Sequence, residues 1–255
     1  MLPTESHGDS WSEGDGHDVE PGGTLIAVDD LRVRRGRFEL SIPRWSLEPG
    51  IVVGLVGPNG AGKTTLLETI AGLRPATHGR VSVFGHDPWR DPVLVRSALG
   101  FMSDDLPVFD MRVRSLVQMV SAYYSSWDVG LAESLIDRFH LDPKARAGAL
   151  SKGQGTRLRL VLAMAFRPRV LLLDEPSSGL DLDGRRGLLE SVLDVVRDPK
   201  RSVVISSHML LDVQRVSDRL VVLQAGKILR DGPTDQLVGE GRTLEEAIVA
   251  WGAAR

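Results

Sequence analysis

The 255-residue sequence contains no cysteine, which excludes disulfide bonds, thiolate metal sites and thiol catalysis together. It also lacks long apolar runs. The longest, such as residues 51–56 and 170–173, fall far short of the roughly 20 residues that a bilayer-spanning helix requires. The N-terminus has neither a basic block nor an apolar block, so we expect no signal peptide. These absences are compatible with a reducing cytosol, and they predict a chain that does not itself cross a membrane.

Charge is distributed unevenly along the chain. The net charge is −3, but residues 1–23 hold six acidic residues and no Lys or Arg, so the remainder is net positive. This segment has almost no large apolar residues and cannot bury enough surface to offset the entropy of ordering it. We therefore predict a disordered acidic tail over residues 1–23. The charge pattern does not indicate nucleic-acid binding, and no nucleic-acid partner is expected.

The apolar pattern predicts an α/β protein. Short alternating stretches over residues 24–47 indicate antiparallel strands that are half covered by a core. Four later runs are rich in leucine and β-branched residues and are bounded by Gly, Asp, Ser or charge, as expected for a mainly parallel sheet buried on both faces. These runs are residues 51–56, 170–173, 203–205 and 220–223. Between the first two, helical periodicity predicts a largely helical insert at about 93–150.

A glycine-rich segment follows the first buried strand. It matches the pattern G-x-x-x-x-G-K-[ST] in full and leads into a helical pattern. Glycines let a backbone wrap closely around a polyphosphate, and the following helix adds its positive end. We therefore expect Lys63 to reach the β- and γ-phosphates and the Thr64 hydroxyl to bind Mg²⁺. The alternative is a turn that merely opens a helix. The predicted cofactor-binding residues here are Gly57, Pro58, Asn59, Gly60, Ala61, Gly62, Lys63, Thr64 and Thr65.

Two carboxylates end the buried strand at residues 170–173. Ligands of α/β sheets bind at the carboxyl ends of the strands, so Asp174 is predicted to hold Mg²⁺ directly or through water. Glu175 lies one residue further on and is placed to orient or deprotonate an attacking water. Taken alone, an Asp-Glu-Pro sequence also suits a turn that ends a strand. Its pairing with the glycine-rich segment favours the catalytic interpretation.

Three further motifs narrow the class of nucleotide hydrolase. Residues 150–155, Leu-Ser-Lys-Gly-Gln-Gly, precede a helical stretch and predict a second anion site at a helix N-terminus. Asp181 closes a Ser-Ser-Gly-Leu-Asp segment after the acidic pair, and His208 follows another apolar strand. In the second anion site, the predicted binding residues are Ser151, Gly153 and Gln154. With these motifs in this order, residues 25–235 resemble the ATP-binding cassette ATPases.

The resemblance implies several functional assignments. ATP with Mg²⁺ is the implied cofactor, and two cassettes are expected to pair head to tail. The glycine loop of one copy and the signature segment, residues 150–155, of the other then hold each ATP. Glu175 becomes the general base, His208 contacts the γ-phosphate, and Asp181 couples the two sites across the dimer. For His208 considered alone, the alternative is a core histidine at a strand end.

Within the family, the chain is similar to bacterial single-cassette subunits of exporters. The similarity lies in a Tyr-x-x-x-Trp-Asp stretch formed by Tyr123, Trp127 and Asp128, and in the Leu-Ser-Lys-Gly signature. Such subunits work beside separately encoded transmembrane permeases. The expected partners are therefore a permease and a second copy or a related ATPase subunit, at the cytoplasmic face of the cell membrane. The alternative for Tyr123 and Trp127 is packing in the core.

Three positions depart from the commonest family pattern. Asp104 stands where the family usually has glutamine. A carboxylate can still ligate Mg²⁺ but cannot donate a hydrogen bond, so Asp104 is predicted as a third metal ligand. Lys152 replaces the first signature glycine and adds a positive charge near bound phosphate. Arg35 falls at the position of the adenine-stacking aromatic, with Phe38 as a substitute if the turn is shifted. For Arg35, the alternative is a solvated strand edge.

The sequence thus predicts three regions: the tail at 1–23, an ATPase domain at 24–240, and a short C-terminal extension at 241–255. The expected function is ATP hydrolysis that powers a membrane permease in export, with motion of the helical insert carrying the coupling. One rival is a soluble member of the same family that remodels proteins, ribosomes or nucleic acid. A second rival is a regulatory module that senses ATP with little turnover.

Overall fold

The structure, a computed structural model, describes residues 23–239 and 243–253, so nearly all of the predicted acidic tail lies outside it. The strands are β1 Ile26–Arg35, β2 Phe38–Leu47, β3 Val52–Val56, β4 His78–Val83, β5 Leu99–Ser103, β6 Val170–Asp174, β7 Ser202–Ser206, β8 Arg219–Gln224 and β9 Lys227–Pro233. The helices are α1 Lys63–Ile70, α2 Pro92–Arg96, α3 Val113–Ser121, α4 Val129–Arg138, α5 Lys152–Met164, α6 Leu182–Val196, α7 Leu210–Val216, α8 Thr234–Val238 and α9 Leu244–Ala253, with a 3-10 turn at Ala147–Ala149.

The strands form two sheets, and the predicted α/β fold is confirmed. The larger sheet has six strands in the order β5-β6-β7-β3-β8-β9. All of its neighbours are parallel except the edge pair β8 and β9. The smaller sheet is antiparallel, in the order β2-β1-β4. The four predicted buried runs correspond to β3, β6, β7 and β8, and the alternating stretches over residues 24–47 form β1 and β2.

The central strands are buried throughout because α1 and the antiparallel sheet cover one face of the large sheet and helices cover the other. Every residue of β3, β6 and β7 is buried. Apart from Val56, their apolar side chains divide between two core clusters, one shared with the antiparallel sheet and α1, the other with α3, α4, α5 and α6. Parallel strands end at the same edge, so the segments that follow β3, β6 and β7 meet there. In register, Asp174 on β6 lies opposite Ser206 on β7.

The range in which the sequence predicts a largely helical insert also contains a strand. The predicted range of about 93–150 includes β5, which pairs with β6 and is the edge strand of the large sheet. The helices α3 and α4 follow that strand and pack against α5 through the second core cluster. Strand β5 escaped the sequence pattern because it is short and carries Gly100 in place of an apolar residue. The division of the chain into three regions stays a prediction.

The C-terminal extension contains α9, whose first turn is anchored to the rest of the fold. The amide of Leu244 donates to the side-chain oxygen of Gln214 on α7 at 3.0 Å. Leu244 is buried in a third apolar cluster that includes Val56 and Val213, and Ala247 is also buried. Throughout residues 23–239 and 243–253, the structure has no helix whose length and hydropathy would suit a membrane crossing.

Candidate active site

The phosphate loop, residues 57–64, folds back on itself between β3 and α1. Gly57, Gly60 and Gly62 adopt φ values of 151°, 79° and 110°. Gly57 also needs its hydrogen side chain for space, because a Cβ atom there would lie 2.1 Å from the carbonyl oxygen of Leu223. Side chains other than hydrogen are strained at such φ values. The glycine pattern is therefore required by the loop conformation, which directs the chain into the N-terminus of α1.

Lys63 is the first residue of α1, and its side chain is only 6% exposed. Its ammonium donates to the carbonyl oxygen of Gly57 at 2.8 Å and lies 3.4 Å from Oε1 of Glu175. A buried ammonium requires such partners, because an unpaired buried charge is costly. These contacts hold the Lys63 ammonium across the loop and beside the predicted general base.

Asp174 is buried at the end of β6, 5% exposed, and is tied to both neighbouring elements. The Ser206 hydroxyl donates to its Oδ1 at 2.6 Å, and the Thr64 side chain is a further hydrogen-bond partner. Burial raises the pKa of the Asp174 carboxyl, and the neighbouring Glu175 charge raises it further, against the lowering effect of the two hydroxyls and Lys63. A divalent cation at this carboxylate would compensate the cost of burying its charge.

Glu175 has a backbone conformation that is unusual for a residue with a side chain, with φ of 50°. Its amide donates to the carbonyl and the hydroxyl oxygen of Ser206, at 3.1 and 3.0 Å. The carboxylate Oε2 accepts the backbone N–H of His208 at 3.0 Å and lies 2.7 Å from the imidazole Nδ1 of the same residue. Backbone strain of this kind is often found at functional sites. Here it turns the carboxylate towards Lys63 and His208.

A cavity of about 440 Å³ opens over the phosphate loop. Arg35 and Phe38, the two candidates for adenine stacking, both line it, together with Asp105 and Glu175. The other lining residues are Asn59, Gly60, Ala61, Gly62, Lys63, Thr64 and Thr65. The loop amides, the Lys63 ammonium and an apolar wall at Phe38 suit a nucleotide polyphosphate with its base. Which residue contacts the base stays a prediction.

The donor set beside the loop fits Mg²⁺. Thr64 and Asp174 are hydrogen-bonded to each other, so the hydroxyl and the carboxylate are adjacent. Mg²⁺ is usually held by one or two such protein oxygens, with substrate phosphates and water completing its shell. In the described part of the chain, no group of three or more His, Asp or Glu side chains is arranged as a metal site.

The signature segment forms the N-terminus of α5. Ser151 caps this helix: its hydroxyl accepts the amide of Gln154 at 3.2 Å, and the Gln154 side chain accepts the amide of Ser151 at 3.0 Å. Gly153 packs so closely on the loop after β6 that a Cβ would lie 2.5 Å from the carbonyl oxygen of Gly179. The predicted helix N-terminus is present. Its role in anion binding stays a prediction.

Asp181 lies at the N-terminus of α6 and connects it to α5. Its Oδ1 caps α6 by accepting the amide of Gly184 at 2.8 Å, and it also pairs with Arg157. These two contacts, the amide first, lower the pKa of the Asp181 carboxyl. Arg157 is nearly buried and donates also to the carbonyl of Phe139 at 3.2 Å. Asp181 thereby links the signature helix to the segment that follows the acidic pair.

Asp104 lies at the signature helix. Its carboxylate accepts a hydrogen bond from the Thr156 hydroxyl at 3.0 Å and lies 3.3 Å from the Lys152 ammonium. The neighbouring Asp105 lines the phosphate cavity instead. The structure therefore brings together Lys63, Thr64, Asp174, Glu175 and His208, and it directs Asp104 to α5.

In the Tyr-x-x-x-Trp-Asp stretch, Asp128 and Trp127 contact other residues of the fold, whereas Tyr123 is exposed. Asp128 caps α4 by accepting the amide of Leu131 at 2.8 Å and pairs with Arg167 at 2.5 Å. The ring of Trp127 lies 6.4 Å from that of Tyr124, which stacks on Phe166. Tyr123 is 80% exposed and is not part of the core.

Sequence reasoning missed two residues of the site, Ser206 and Asp105. Ser206 contacts both Asp174 and Glu175. The sequence feature that could have indicated it is a serine at the end of a strand, β7, that neighbours β6. For Asp105 the signal was weaker, because sequence alone does not indicate which of two successive carboxylates faces the cavity.

The fold and the site together define a P-loop nucleotide hydrolase. A comparison with protein families matches residues 40–178 to the family described as ABC transporter. The match covers more than half of the chain, and the chain therefore belongs to the ABC transporter ATP-binding family, whose members are ATPases that drive transport.

Curated relatives include proteins of both transport directions. The chain is 31% identical to the ABC transporter ATP-binding protein YtrB of Bacillus subtilis (strain 168), over 76% of this chain and 67% of that protein. It is 32% identical to the daunorubicin resistance ATP-binding protein DrrA3 of Streptomyces coeruleorubidus, over 85% and 71%. It is 35% identical to the molybdenum import ATP-binding protein ModC of Albidiferax ferrireducens, over 82% of this chain and only 58% of ModC.

Solved structures agree on the fold. A structure described as the ATP binding subunit of an ABC transporter has a TM-score of 0.81 and 24% identity, over 90% of this chain and all of that chain. A dimeric ATP-binding cassette in a post-hydrolysis state, bound to ADP and Pi, has a TM-score of 0.70 and 20% identity, over 82% and 99%. At these identities the likeness establishes the fold alone.

Proposed function

We propose that this chain is the ATP-hydrolysing subunit of an exporter, that it works with Mg²⁺ as a head-to-tail dimer, and that it powers a separately encoded membrane permease. The observation that carries the hydrolytic part is the cluster at the ends of β3, β6 and β7. There, Glu175 contacts Lys63 and His208. A carboxylate with these neighbours lies where a water would attack a terminal phosphate held by the phosphate loop.

In this proposal, Lys63 and the amides of the phosphate loop bind the nucleotide phosphates. The bound cation would be held by Thr64 and Asp174, and it would neutralise charge that develops on the phosphate oxygens. Glu175 takes the proton of the attacking water through its carboxylate, which Lys63 and His208 hold in place. Orientation and electrostatic stabilisation account for most of the catalysis of phosphoryl transfer.

The contact between Glu175 and His208 fixes how the histidine meets a phosphate. Nδ1 lies 2.7 Å from the Glu175 carboxylate, which leaves Nε2 as the ring nitrogen available to a phosphate. His208 therefore meets the γ-phosphate through Nε2 while Nδ1 stays beside Glu175. The imidazole is mostly exposed, which leaves Nε2 accessible to a ligand.

A second cassette completes the site. The cavity over the phosphate loop opens to solvent, and a single chain does not enclose the terminal phosphate. The N-terminus of α5, where Ser151 and Gln154 form the cap, presents the positive end of the helix to an anion from another copy. Asp181 is exposed beside it and, through Arg157, connects α6 to that helix. The dimeric post-hydrolysis cassette among the structural relatives supports this arrangement by analogy.

An apolar groove on this chain is a candidate docking site for a membrane-protein partner. It has a volume of about 220 Å³ and lies between the loop after β5 and helices α3 and α5. Its rim includes Phe109, which is 68% exposed. The groove adjoins residues 104–105, so an apolar segment of a permease docked there would be mechanically connected to the nucleotide site. Such docking would hold this chain at the cytoplasmic face of the membrane.

Export is favoured by the Leu-Ser-Lys-Gly signature and by relatives such as the daunorubicin resistance protein. The molybdenum import relative represents the opposite direction. Reconstitution of the captured permease with this chain decides between them. In vesicles with the cassette facing outward, an exporter accumulates its substrate inside when ATP is added.

The partner is tested by affinity capture from detergent-solubilised membranes of the native host. The bait is tagged Glu175→Gln protein with ATP, compared with the same bait carrying Phe109→Asp in the groove or Val129→Asp as a control. Val129 is 63% exposed and lies outside the groove. We expect a multi-span membrane protein to be captured by the bait and the control and to be lost with Phe109→Asp.

Recovery of soluble proteins only, with the bait absent from the membrane fraction, would overturn the permease assignment. That result would favour a soluble ATPase of the same family that acts on other macromolecules. Equal capture by the Phe109→Asp bait would place the permease contact elsewhere on the chain and refute the groove as its docking site.

A further inference from the structure

Lys152 and Asp104 form an ion pair that joins the signature helix to the loop after β5. The Lys152 ammonium lies 3.3 Å from Oδ2 of Asp104, and the Thr156 hydroxyl donates to Oδ1 at 3.0 Å. Both carboxylate oxygens are thus engaged by the first turns of α5. Lys152 also donates to the Ser178 hydroxyl at 2.9 Å, which connects it to the loop after β6.

Asp104 supplies the negative charge that both the N-terminus of α5 and the Lys152 ammonium favour. Lys152 is the first residue of α5, where the partial positive charge of the helix end disfavours a cation and favours an anion. Asp105 and Arg159 also line this part of the surface, and Arg159 donates to the carbonyl of Leu106 at 3.0 Å. In the single chain, Asp104 therefore occupies the role of an anion at the helix end.

The proposed dimer brings a stronger anion to the same place. A terminal phosphate carries more charge than a carboxylate and accepts several hydrogen bonds at once. When ATP on the second copy reaches the N-terminus of α5, its phosphate and Asp104 compete for one ammonium. The Lys152 side chain is mostly exposed, and a lysine carries its ammonium on a flexible four-carbon stem, so it can exchange partners without movement of α5.

We propose that Asp104 and Lys152 form a charge-exchange latch: Asp104 holds Lys152 while the cassette is alone, and the terminal phosphate of ATP on the second cassette replaces it. The latch rests on the proposed head-to-tail dimer. Its opening removes one of the contacts that tie the loop after β5 to α5, and that loop carries Asp105 at the phosphate cavity and Phe109 at the apolar groove. Asp104 is thus a positioning residue that acts through Lys152.

The test is the ATP-dependent monomer–dimer equilibrium of the Glu175→Gln protein, measured by sedimentation. Asp104→Asn removes the competing charge and keeps the side-chain shape, so dimerisation should tighten by about two- to five-fold, the scale of a partly exposed ion pair. Lys152→Met should weaken the dimer, and adding Asp104→Asn to it should change nothing further. Lys152→Arg should restore the dependence on Asp104.

A matched control is Asp29→Asn, which breaks another exposed ion pair, with Arg44, on β1 away from α5. It should leave the equilibrium unchanged. Weaker dimerisation of Asp104→Asn would overturn the latch and favour Asp104 as a ligand of Mg²⁺. An Asp104→Asn effect that persists in the Lys152→Met background would also overturn it. Absence of any ATP-dependent dimer in the parent would instead refute the proposed dimer itself.

Discussion

Replacement of Gly153 by alanine tests how closely the signature helix packs on the loop after β6. A Cβ at this position would lie 2.5 Å from the carbonyl oxygen of Gly179, well inside normal contact. Backbone cannot yield as a flexible side chain does, so we assign the overlap a cost of about 1–3 kcal/mol. Alanine recovers at most about 1 kcal/mol of helix propensity. The net cost is therefore about 0–3 kcal/mol, and we expect a destabilisation near the middle of that range, about 1–2 kcal/mol.

Gly155, two residues along the same helix, provides the control. There a Cβ meets only the end of the Arg159 side chain, at 3.3 Å, which is flexible. Gly155→Ala should therefore be neutral or stabilising by up to about 1 kcal/mol. Thermal unfolding of the nucleotide-free protein measures both variants. For a chain of this size, Gly153→Ala should lower Tm by roughly 2–8 °C.

Equal stability of the two variants would refute the packing that the structure assigns to Gly153. A loss of ATPase activity without any loss of stability would also contradict it, because the overlap is with backbone of the same chain. Such a result would place the requirement for glycine in the dimer interface instead.

Three further predictions concern the carboxylates and Ser206. Asp174→Asn removes a buried negative charge, so it should stabilise the nucleotide-free protein by about 1 kcal/mol in thermal unfolding at neutral pH. Gains of this size are common when a functional residue is replaced. The raised pKa of Asp174 means that folding favours its protonated form, so this gain should fade as pH falls through the window between the raised and the ordinary pKa of the carboxyl. Asp181→Ala should cost about 1 kcal/mol or more in urea unfolding, because it removes the cap of α6 and the partner of Arg157, whereas Asp181→Asn should lose less. Ser206→Ala should lower the free energy of unfolding by about 1–3 kcal/mol, because it removes a buried donor to Asp174 and an acceptor for the Glu175 amide. A smaller loss would contradict those contacts.

The strands that are buried on both faces of the large sheet could be predicted from the sequence. The runs that became β3, β6, β7 and β8 are continuous in leucine and β-branched residues, and that composition indicates central parallel strands directly. Strand order and register could not be predicted in this way, because pairing depends on contacts between distant segments. The phosphate loop was predictable residue by residue, since its glycine, lysine and threonine positions are set by local geometry.

The long-range contacts of the site were not predictable. Ser206 joins Asp174 and Glu175 only because β7 lies beside β6, and the sequence gives no indication of that register. The left-handed backbone of Glu175 is also set by its surroundings rather than by residue type. The partner of Asp104 could not be predicted, because it depends on the direction in which the long Lys152 side chain extends. To bind Mg²⁺ as the sequence predicts, Asp104 would have to give up that ion pair.

The most direct test of the central claim is ATP hydrolysis by the purified protein, measured as phosphate release in the presence of Mg²⁺. The wild type is compared with Glu175→Gln and with Glu190→Gln, which changes an exposed carboxylate on α6 that pairs with Arg186. We predict that Glu175→Gln lowers turnover by at least about 100-fold, the scale of general base catalysis, and that Glu190→Gln leaves it unchanged. Unchanged turnover in Glu175→Gln would contradict the proposed base, and a wild type that binds ATP without releasing phosphate would contradict the enzyme.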